Sequence, residues 1–432
     1  MPQAAPRLSI INARLIDPAA AGDRAQTGAL HIADGKILAI GAAPQGFAAD
    51  QSIDARGAIL IPGLVDLSAR LREPGFEYKA TLESEMQAAL AGGVTSIACP
   101  PDTDPVLDEP GLVEMLKHRA RGIDGAHLFP VGALTLGLKG ETITEMAELV
   151  EAGCVGFSHA LSPIADTQVL MRAMQYASTF GYTVWLHPQD AQLARGGVAH
   201  AGPYASRLGL SGVPVIAETV ALLTIFELVR VTGCRVHLCR LSSAAGVDLV
   251  RRARAEGLPV SADVAAHHVH LTDLDIGFFD SNCRVDPPFR SQRDRDALRA
   301  GLADGTIDAI CSDHTPVDDD AKQLPFGEAE AGVTGLELLL PLTLKWAAEA
   351  GLSLERALAR VTTAPARLLG EPAIGLAVGA AADLCVFNPD EHWVVSRGSL
   401  LSQGSHTPYL GRELAGRVQR TLVDGRVVFE RG

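Results

Sequence analysis

Polar and charged side chains collect at the carboxyl ends of a series of apolar, strand-like runs. Ser68, Arg70 and Arg72 follow the first run, and Asp102 follows the second. The later runs end in further residues of this kind, which are His159, His187, Arg240, His267, His268, Asp313 and His314. Histidine and aspartate are zinc ligands and also transfer protons. The pattern therefore predicts one metal-binding or hydrolytic site, provided that the runs all end at the same place.

The first run, IPGLVDLSARLREPG at residues 61–75, lacks the pair of histidines expected at a metal site. Two histidines one residue apart on a strand point the same way and grip one ion together. Ser68 and Arg70 occupy those two places. Arginine stays protonated in proteins and offers no lone pair to a metal. The run therefore predicts the surroundings of a metal site with a fixed cation at its centre.

Eight apolar runs alternate with helical patterns between residues 61 and 377, and this alternation predicts the fold. The runs are LIPGLVDLS, VTSIACPP, HLFPVGALT, CVGFSHA, TVWLHPQD, RVHLCRLSS, PVSADVAAHH and DAICSDHTP. Two of the helical stretches, TQVLMRAMQYASTFG and ETVALLTIFELVRVTG, end at Gly181 and Gly233, which suit C-terminal caps. Eight strand–helix units predict an α/β protein with a (β/α)8 barrel, whose site lies at the C-terminal ends of the strands.

Both ends of the chain read as short strands, with ADGK near the start and VDGR near the end as hairpin turns. The two ends are expected to pair into one small β-sandwich domain. The sequence thus predicts a β-sandwich from residues 1–60 and 378–432 and a barrel from residues 61–377.

Composition excludes several classes of function. The chain has 432 residues and a net charge of −14, which argues against a nucleic-acid partner. Its seven scattered cysteines favour free thiols in a reducing compartment over a disulfide framework. The start lacks the layout of a signal peptide, and no run is long enough to span a membrane. We therefore expect a cytoplasmic protein without a membrane partner.

Several stretches together resemble the dihydroorotases of the cyclic amidohydrolase group over nearly the whole chain. They are PGLVDLSARLREPGFEYKATLES, ALTLGLKGE, RVDPPFRSQRDRDAL, SDHTP, GVTGLELLLPL and TPYLGRELAGRV. The resemblance implies a barrel flanked by a small β-sandwich. In active members it implies one or two zinc ions, which activate the water that opens the amide ring of dihydroorotate. It further implies that a strand-eight aspartate, here Asp313, moves the proton, and that substrate is contacted at Arg72, Asp102, Asn282 and His314.

The chain departs from the family pattern at most of the metal positions. The resemblance places these positions at Ser68, Arg70, His159, His187, Arg240 and Asp313, of which His187 and Asp313 alone keep the family's residue kind. Asp102 and Asp286 replace family asparagines, and Val317 replaces a polar residue. An arginine about 4 Å from a divalent ion is repelled by roughly 8 kcal/mol at an effective dielectric of about 20. The sequence therefore predicts no bound metal, and a catalytically inactive homologue.

The replacement of ligands by cations suggests a structural role for those cations. Without a metal, Asp313 would be a bare carboxylate at the barrel mouth, so we expect Arg70 or Arg240 to pair with it. The resemblance also implies a partner. Degenerate homologues of this family accompany the catalytic chain of aspartate transcarbamoylase in pyrimidine synthesis. We expect this partner and a homo-oligomer.

Two alternatives stay open at the level of sequence. A one-metal site could use His159, His187 and Asp313, with His237, His267 or Cys239 as helpers. If Arg240 faces the mouth, strand alternation turns His237 and Cys239 outward to the helices, which favours a packing role for both. An active cyclic amidohydrolase with one metal or none is the second alternative. Its base would be Asp313, its metal ligand His187, and its substrate contacts His314 and Arg72.

Overall fold

The computed structural model describes residues 6–20, 26–371 and 374–432. The chain begins with five strands of a β-rich domain. They are β1 (Leu8–Leu15), β2 (Gln26–Ala33), β3 (Lys36–Ile40), β4 (Gln51–Asp54) and β5 (Ile59–Pro62).

The next strands build the barrel and one small separate pair. The barrel strands, with the third in two pieces, are β6 (Leu64–Asp66), β7 (Val94–Cys99), β8 (His127–Pro130) continued by β9 (Gly132–Ala133), β10 (Phe157–Ser158) and β11 (Thr183–Leu186). The separate parallel pair is β12 (Ala199–His200) and β13 (Gly212–Val213). The barrel then continues through β14 (Arg235–Leu238), β15 (Val260–Ala265) and β16 (Ala309–Cys311). Neighbouring barrel strands pair in parallel, and a parallel bridge between Ala69 and His314 joins the first strand to the eighth. The eight predicted runs and the (β/α)8 barrel are confirmed.

Helices follow the barrel strands on the outside. They are α1 (Leu82–Ala91), α2 (Pro110–Arg121), α3 (Met146–Ala152), α4 (Thr167–Phe180), α5 (Pro203–Leu208), α6 (Val215–Thr232), α7 (Ala244–Ala255), α8 (Gln292–Asp304), α9 (Asp319–Gln323), α10 (Leu339–Ala350), α11 (Leu354–Leu358) and α12 (Thr363–Leu369). The two helices predicted from periodicity are α4 and α6. They end at Gly181 and Gly233, whose φ angles of 72° and 65° are left-handed, as expected of glycine caps.

The last strands return to the β-rich domain. They are β17 (Leu384–Val394), β18 (Glu413–Val423) and β19 (Arg426–Glu430). They join the first five in one sheet of order β19-β18-β17-β5-β1-β2-β3, with β4 beside β1. An antiparallel bridge between Lys36 and Ala381 lets the sheet curl around its own apolar core. The two ends therefore form one β domain, as expected. The domain limits of 60 and 378 stay predictions, and the sheet itself runs on to Pro62.

Both predicted hairpin turns are present. Asp34 and Gly35 join β2 to β3 with φ angles of 51° and 74°, and Asp424 and Gly425 join β18 to β19 with φ angles of 49° and 71°. Two successive positive φ angles define the turn type that matches the twist of a tight hairpin. The turns also touch each other, because a Cβ atom on Gly425 would lie 2.9 Å from the Cα of Gly35.

The barrel has two apolar layers. Side chains such as Val236 and Leu238 of β14 belong to the large cluster that the helices cover. Inside the barrel, a smaller cluster includes Val65, Trp185 and Cys239. This inner layer fills the barrel below the polar strand ends, so chemistry is confined to the mouth.

Two sequence predictions concern the chain as a whole. All seven cysteines are free and buried, which confirms the absence of a disulfide framework. Within the described ranges, none of the helices combines the length and the apolar character that crossing a bilayer requires.

Candidate functional site

Three residues of the mouth turn the chain sharply as it leaves a barrel strand. Arg72, Arg240 and Asp313 have φ angles of 64°, 58° and 48°. Residues other than glycine rarely adopt this left-handed conformation, which is enriched where function fixes a side chain. The turns at Arg240 and Asp313 bring side chains from strands six and eight to one point, where Ser68 and Arg70 join them from the end of strand one.

That point is a single carboxylate oxygen, Oδ1 of Asp313. Nη1 of Arg240 lies 3.3 Å from it and Nη1 of Arg70 lies 3.6 Å from it. The hydroxyl of Ser68 donates to the same oxygen at 3.2 Å and accepts from Nη1 of Arg240 at 3.1 Å. All four side chains are at least nine-tenths buried. The expected pairing is confirmed for both arginines, so two guanidiniums share the carboxylate.

Asp102 forms a second ion pair in the same cluster. Nε of Arg70 donates to its Oδ2 at 2.7 Å, while Nη1 of Arg70 donates to the hydroxyl of Thr315 at 2.9 Å. Arg72 lies beside this pair, donates from Nε to the carbonyl of Pro316 at 2.8 Å, and rests over the ring of Phe76. The negative charge of Asp102 is therefore matched by Arg70.

The electrostatics of the mouth follow from burial and from these cations. Burial raises the pKa of Asp313 above its ordinary value, and the charges of Arg240 and Arg70 oppose that rise. Burial also acts to raise the pKa of Asp102, but Arg70, Arg72 and Arg240 together outweigh it and the net shift of the pKa is downward. Burial and the neighbouring Arg70 lower the pKa of Arg72 to about 10, which leaves it positive at neutral pH. Three arginines and the two carboxylates of Asp102 and Asp313 thus lie in one cluster, and Asp263 lies against the backbone of Arg240.

The two predicted histidine ligands differ in their contacts. His159 uses both ring nitrogens, because Nδ1 lies 2.6 Å from the carbonyl of Ser162 and Nε2 lies 2.7 Å from the hydroxyl of Thr135. Nδ1 of His187 lies 3.3 Å from the carbonyl of Cys239, while its buried Nε2 has no hydrogen-bond partner among the described residues. Burial and the charge of Arg240 lower the pKa of His187 to about 4, so its ring is neutral at pH 7. Of these two histidines, His187 is therefore the one whose ring nitrogen lacks a hydrogen-bond partner among the described residues.

His267 and His268 lie side by side and are fully buried, with ring centroids 4.8 Å apart. Nε2 of His268 bonds the carbonyl of Pro287 at 3.0 Å. Burial lowers the pKa of His268 to about 4 and that of His267 well below its ordinary value. Both rings are therefore neutral and packed against Phe289.

Two predicted substrate contacts are engaged elsewhere. Nε2 of His314 lies 2.6 Å from Oε2 of the buried Glu85, and its Nδ1 accepts the N–H of Gly335 at 3.1 Å. Oδ1 of Asn282 lies 3.2 Å from Nδ1 of His406. Neither side chain bonds to the arginine cluster in this structure, so a substrate role for them stays a prediction that these contacts do not favour.

The expected orientation of His237 and Cys239 is wrong. Cys239 belongs to the apolar layer inside the barrel, and His237 contacts Trp185 and bonds Oδ2 of Asp263 at 3.0 Å. The prediction extended strand alternation through Arg240, but β14 ends at Leu238 and Arg240 turns with a positive φ. Both side chains are nevertheless packed in the core, as the alternative of a packing role required.

The donor set of the mouth does not fit zinc. A zinc site needs about three protein ligands, and the strand-eight carboxylate oxygen is already held by two guanidiniums. Within the described ranges, three or more ligand atoms of histidine, cysteine or acidic residues gather within 4.8 Å at two places. One place is His237, Cys239 and Asp263, and the other is His127, Asp383 and Asp424. Neither includes His159, His187 or Asp313, so the one-metal alternative does not gather its three ligands.

Sequence reasoning missed two residues of the mouth. Thr315 holds Arg70 through its hydroxyl, and Oδ1 of Asp263 accepts the backbone N–H of Arg240 at 2.6 Å, which fixes the turn there. A signal for Asp263 was available, since it is the one acidic residue inside the apolar run PVSADVAAHH. Thr315 lies inside SDHTP, but nothing local to that segment indicates an arginine partner from strand one.

Comparison with known proteins agrees with this architecture. The family described as Dihydro-orotase-like matches residues 57–245. A dihydroorotase-like protein of Pseudomonas aeruginosa is 48% identical over 423 residues, which cover 98% of this chain and 99% of that protein. A dihydroorotase of Geobacter sp. is 40% identical over 428 residues, which cover 98% of this chain and 100% of the relative. The solved L-hydantoinase (dihydropyrimidinase) of Arthrobacter aurescens superposes with a TM-score of 0.86 at 25% identity, over 99% of this chain and 97% of that one.

The fold and the placement of the mouth define a (β/α)8 barrel of the cyclic amidohydrolase type with an attached β domain. Two relatives that are 48% and 40% identical over nearly the full length of the chain show its family. The chain belongs to the dihydroorotase-like family.

Proposed function

We propose that this chain is a dihydroorotase homologue of pyrimidine synthesis that does not hydrolyse dihydroorotate and acts instead as a binding partner. The observation that carries the proposal is the convergence of Arg70 and Arg240 on Oδ1 of Asp313. That oxygen would otherwise serve as metal ligand or base.

Hydrolysis of a cyclic amide needs an activated water molecule. A zinc ion supplies this by lowering the pKa of bound water to about 7. The fixed charge of each nearby guanidinium opposes the ion by roughly 8 kcal/mol at about 4 Å, before relaxation. Asp313 alone would have to act as base, but its reactive oxygen already accepts from Ser68 and is neutralised by two arginines. The mouth therefore lacks both means of activation.

A turnover assay tests the loss of activity. Dihydroorotate and carbamoyl aspartate are each incubated with the protein at zinc concentrations from zero to about 100 µM. We expect no conversion above the uncatalysed rate, for the natural chain and for Asp313→Asn alike. Zinc-dependent conversion that disappears in Asp313→Asn would overturn the proposal.

The proposed partner is the catalytic chain of aspartate transcarbamoylase, which the family resemblance implies. Free, buried cysteines are compatible with the same reducing, cytoplasmic compartment. Co-expression of both chains followed by size-exclusion chromatography tests the pairing, and we expect one complex that contains both. Separate elution at micromolar concentrations of each chain contradicts it. Sedimentation of the chain alone tests the proposed homo-oligomer.

One observation favours the alternative of an active cyclic amidohydrolase. Nε2 of the neutral His187 is buried and lacks a hydrogen bond among the described residues, with Oδ1 of Asp286 3.9 Å away, as an available metal ligand would be. A mononuclear site built on His187 would bind zinc in a manner lost in His187→Gln. The same variant therefore discriminates the two proposals without an activity assay.

A further inference from the structure

At the opposite end of the barrel, a second group of potential ligands lies where the barrel meets the β domain. His127 is the first residue of β8, Asp383 directly precedes β17, and Asp424 lies in the turn between β18 and β19. One barrel strand and two parts of the β domain thus supply one side chain each. Nothing in the arginine mouth depends on this group.

We propose that His127, Asp383 and Asp424 bind a zinc ion that clasps the barrel to the β domain. We call these three residues the clasp. The proposal is independent of the loss of activity at the mouth, and it concerns stability and domain attachment rather than catalysis.

The distances suit a single small ion. Nε2 of His127 lies 3.1 Å from Oδ2 of Asp383 and 3.9 Å from Oδ1 of Asp424, and the three ligand atoms lie within 4.8 Å of one another. Ligand atoms about 2.0–2.1 Å from a tetrahedral zinc are roughly 3.3 Å apart. The 3.1 Å between His127 and Asp383 already agrees with this spacing. Asp424, 3.9 Å from His127, has to move closer by rotation of its side chain. Its side chain is 72% exposed, so it is free to do so.

The backbone around the clasp is fixed before any ion arrives. The N–H of Asp424 donates to Oδ1 of Asp383 at 2.7 Å, which leaves Oδ2 of Asp383 directed at His127. The N–H of Gly63 donates to the carbonyl of Asp383 at 2.8 Å, and that of Gly425 donates to the carbonyl of Ala382 at 3.2 Å. Hydrogen bonds that orient a ligating carboxylate in this way typically raise metal affinity.

The carboxylates nearest His127 favour a cation at its ring, while Lys36, Lys117 and Arg121 line other parts of the adjoining cavity. The hydrogen bond and charge of Asp383, together with the charges of Asp424 and Glu371, raise the pKa of His127. The clasp borders a cavity of about 1230 Å³, which gives an ion and its water a path to the site. One imidazole and two carboxylates suit zinc, whereas magnesium prefers six oxygen ligands. Water completes the coordination.

The decisive experiment measures zinc affinity on untagged protein, because a histidine tag binds zinc itself. Equilibrium dialysis with elemental mass spectrometry is applied to the natural chain, Asp424→Asn, His127→Gln and His187→Gln. Asp424→Asn is the cleanest variant, since asparagine tolerates the left-handed turn and only the charge is lost. A matched control is His392→Gln, which alters an exposed histidine that lies 3.7 Å from Glu413.

We expect about one zinc per natural chain. Asp424→Asn and His127→Gln should each weaken its affinity by at least about a hundredfold, because loss of an orienting neighbour alone costs 10–100-fold. His392→Gln and His187→Gln should leave affinity unchanged. Saturating zinc, but not magnesium, should raise the melting temperature of the natural chain and not of Asp424→Asn.

Other outcomes overturn the clasp. Absence of bound zinc, or equal affinity in the natural chain and Asp424→Asn, shows that the three residues form an ordinary ion pair. Zinc that is lost in His187→Gln and kept in Asp424→Asn places the ion at the mouth instead, and it overturns the metal-free mouth as well.

Discussion

The mouth of the barrel and the seam between the barrel and the β domain hold their carboxylates in different ways. At the mouth, Asp102 and Asp313 are matched by arginines, which stay charged at every accessible pH. At the seam, Glu337 is held by the backbone N–H groups of Leu401 and Ser402, and Asp383 by a histidine and an N–H group.

This difference shows that residue type alone does not decide whether a site takes a metal. Both regions contain histidine and aspartate, but fixed guanidinium groups hold Asp102 and Asp313 at the mouth, whereas two carboxylates share one imidazole at the clasp. The fixed guanidinium charges predict a mouth that repels metal. At the seam, the carboxylates of the clasp should attract cations, and Glu337 should change its protonation with pH.

The largest effect should come from replacing the fixed cations at the mouth with metal ligands. The triple variant Ser68→His, Arg70→His, Arg240→His removes two cations and adds three nitrogen ligands around Asp313. A micromolar zinc site, worth about −8 kcal/mol of binding free energy, is expected there in addition to the clasp. Dialysis should count about two zinc ions per chain. Adding Asp313→Asn should return the count to about one, and an unchanged count in the triple variant alone contradicts the prediction.

Removal of the shared carboxylate should be the next largest effect. Asp313→Ala leaves Arg240 and Arg70 buried without it, and breaking a buried pair in this manner costs about 3–5 kcal/mol. The free energy of unfolding is measured in urea with the natural chain and the variant at the same pH. A loss below about 1 kcal/mol would mean that the arginines find other partners, and that the shared oxygen does not hold the mouth together.

At the seam, Glu337 should make stability depend on pH. Burial raises the pKa of Glu337 to about 7, so its contribution is fully present below about pH 4.5 and is lost as the pH rises through 7. Glu337→Gln keeps an oxygen for the N–H groups of Leu401 and Ser402 but does not ionise. As the pH rises from 5 to 8, the free energy of unfolding of the variant should increase by roughly 1–3 kcal/mol relative to that of the natural chain. Parallel pH profiles for the two chains would rule this out.

The smallest effect is expected on the exposed side of the seam. Asp319 pairs with Arg397 at 2.8 Å and with His406 at 2.7 Å, but it is 60% exposed. Exposed ion pairs are screened by water and salt, so Asp319→Asn should cost less than about 1 kcal/mol in the same urea experiment. A larger loss of unfolding free energy would show that the exposed Asp319 stabilises the fold in the same way as the buried Asp313.

The fold was accessible from sequence because its signals are local. Run length and glycine caps located the eight strands and helices such as α4, and two Asp-Gly pairs located hairpins. The pairing of Asp313 with arginine also followed, since charge balance in a buried cluster is a general requirement. These inferences needed no knowledge of distant contacts.

The remaining details depend on backbone turns and on partners far away in sequence. Strand alternation failed at Arg240 because a positive φ angle changes the side to which the chain points. His314 turned out to bond Glu85, and His127 bonds Asp383, which is 256 residues away. No local pattern indicates such partners, so the clasp had no signal in the sequence.

The contacts of Ser68 with Asp313 and of Arg70 with Thr315 each span 245 residues of chain. A ribosome adds about 5–20 residues per second, so Arg70 emerges roughly 10–50 s before the residues of strand eight that complete its pairing. During that interval the nascent barrel is open between its first strand and the unfinished remainder. Asp102, 32 residues from Arg70, is present to pair with it during that interval. The eighth barrel strand then closes the ring and brings Asp313 to Arg70 and Arg240.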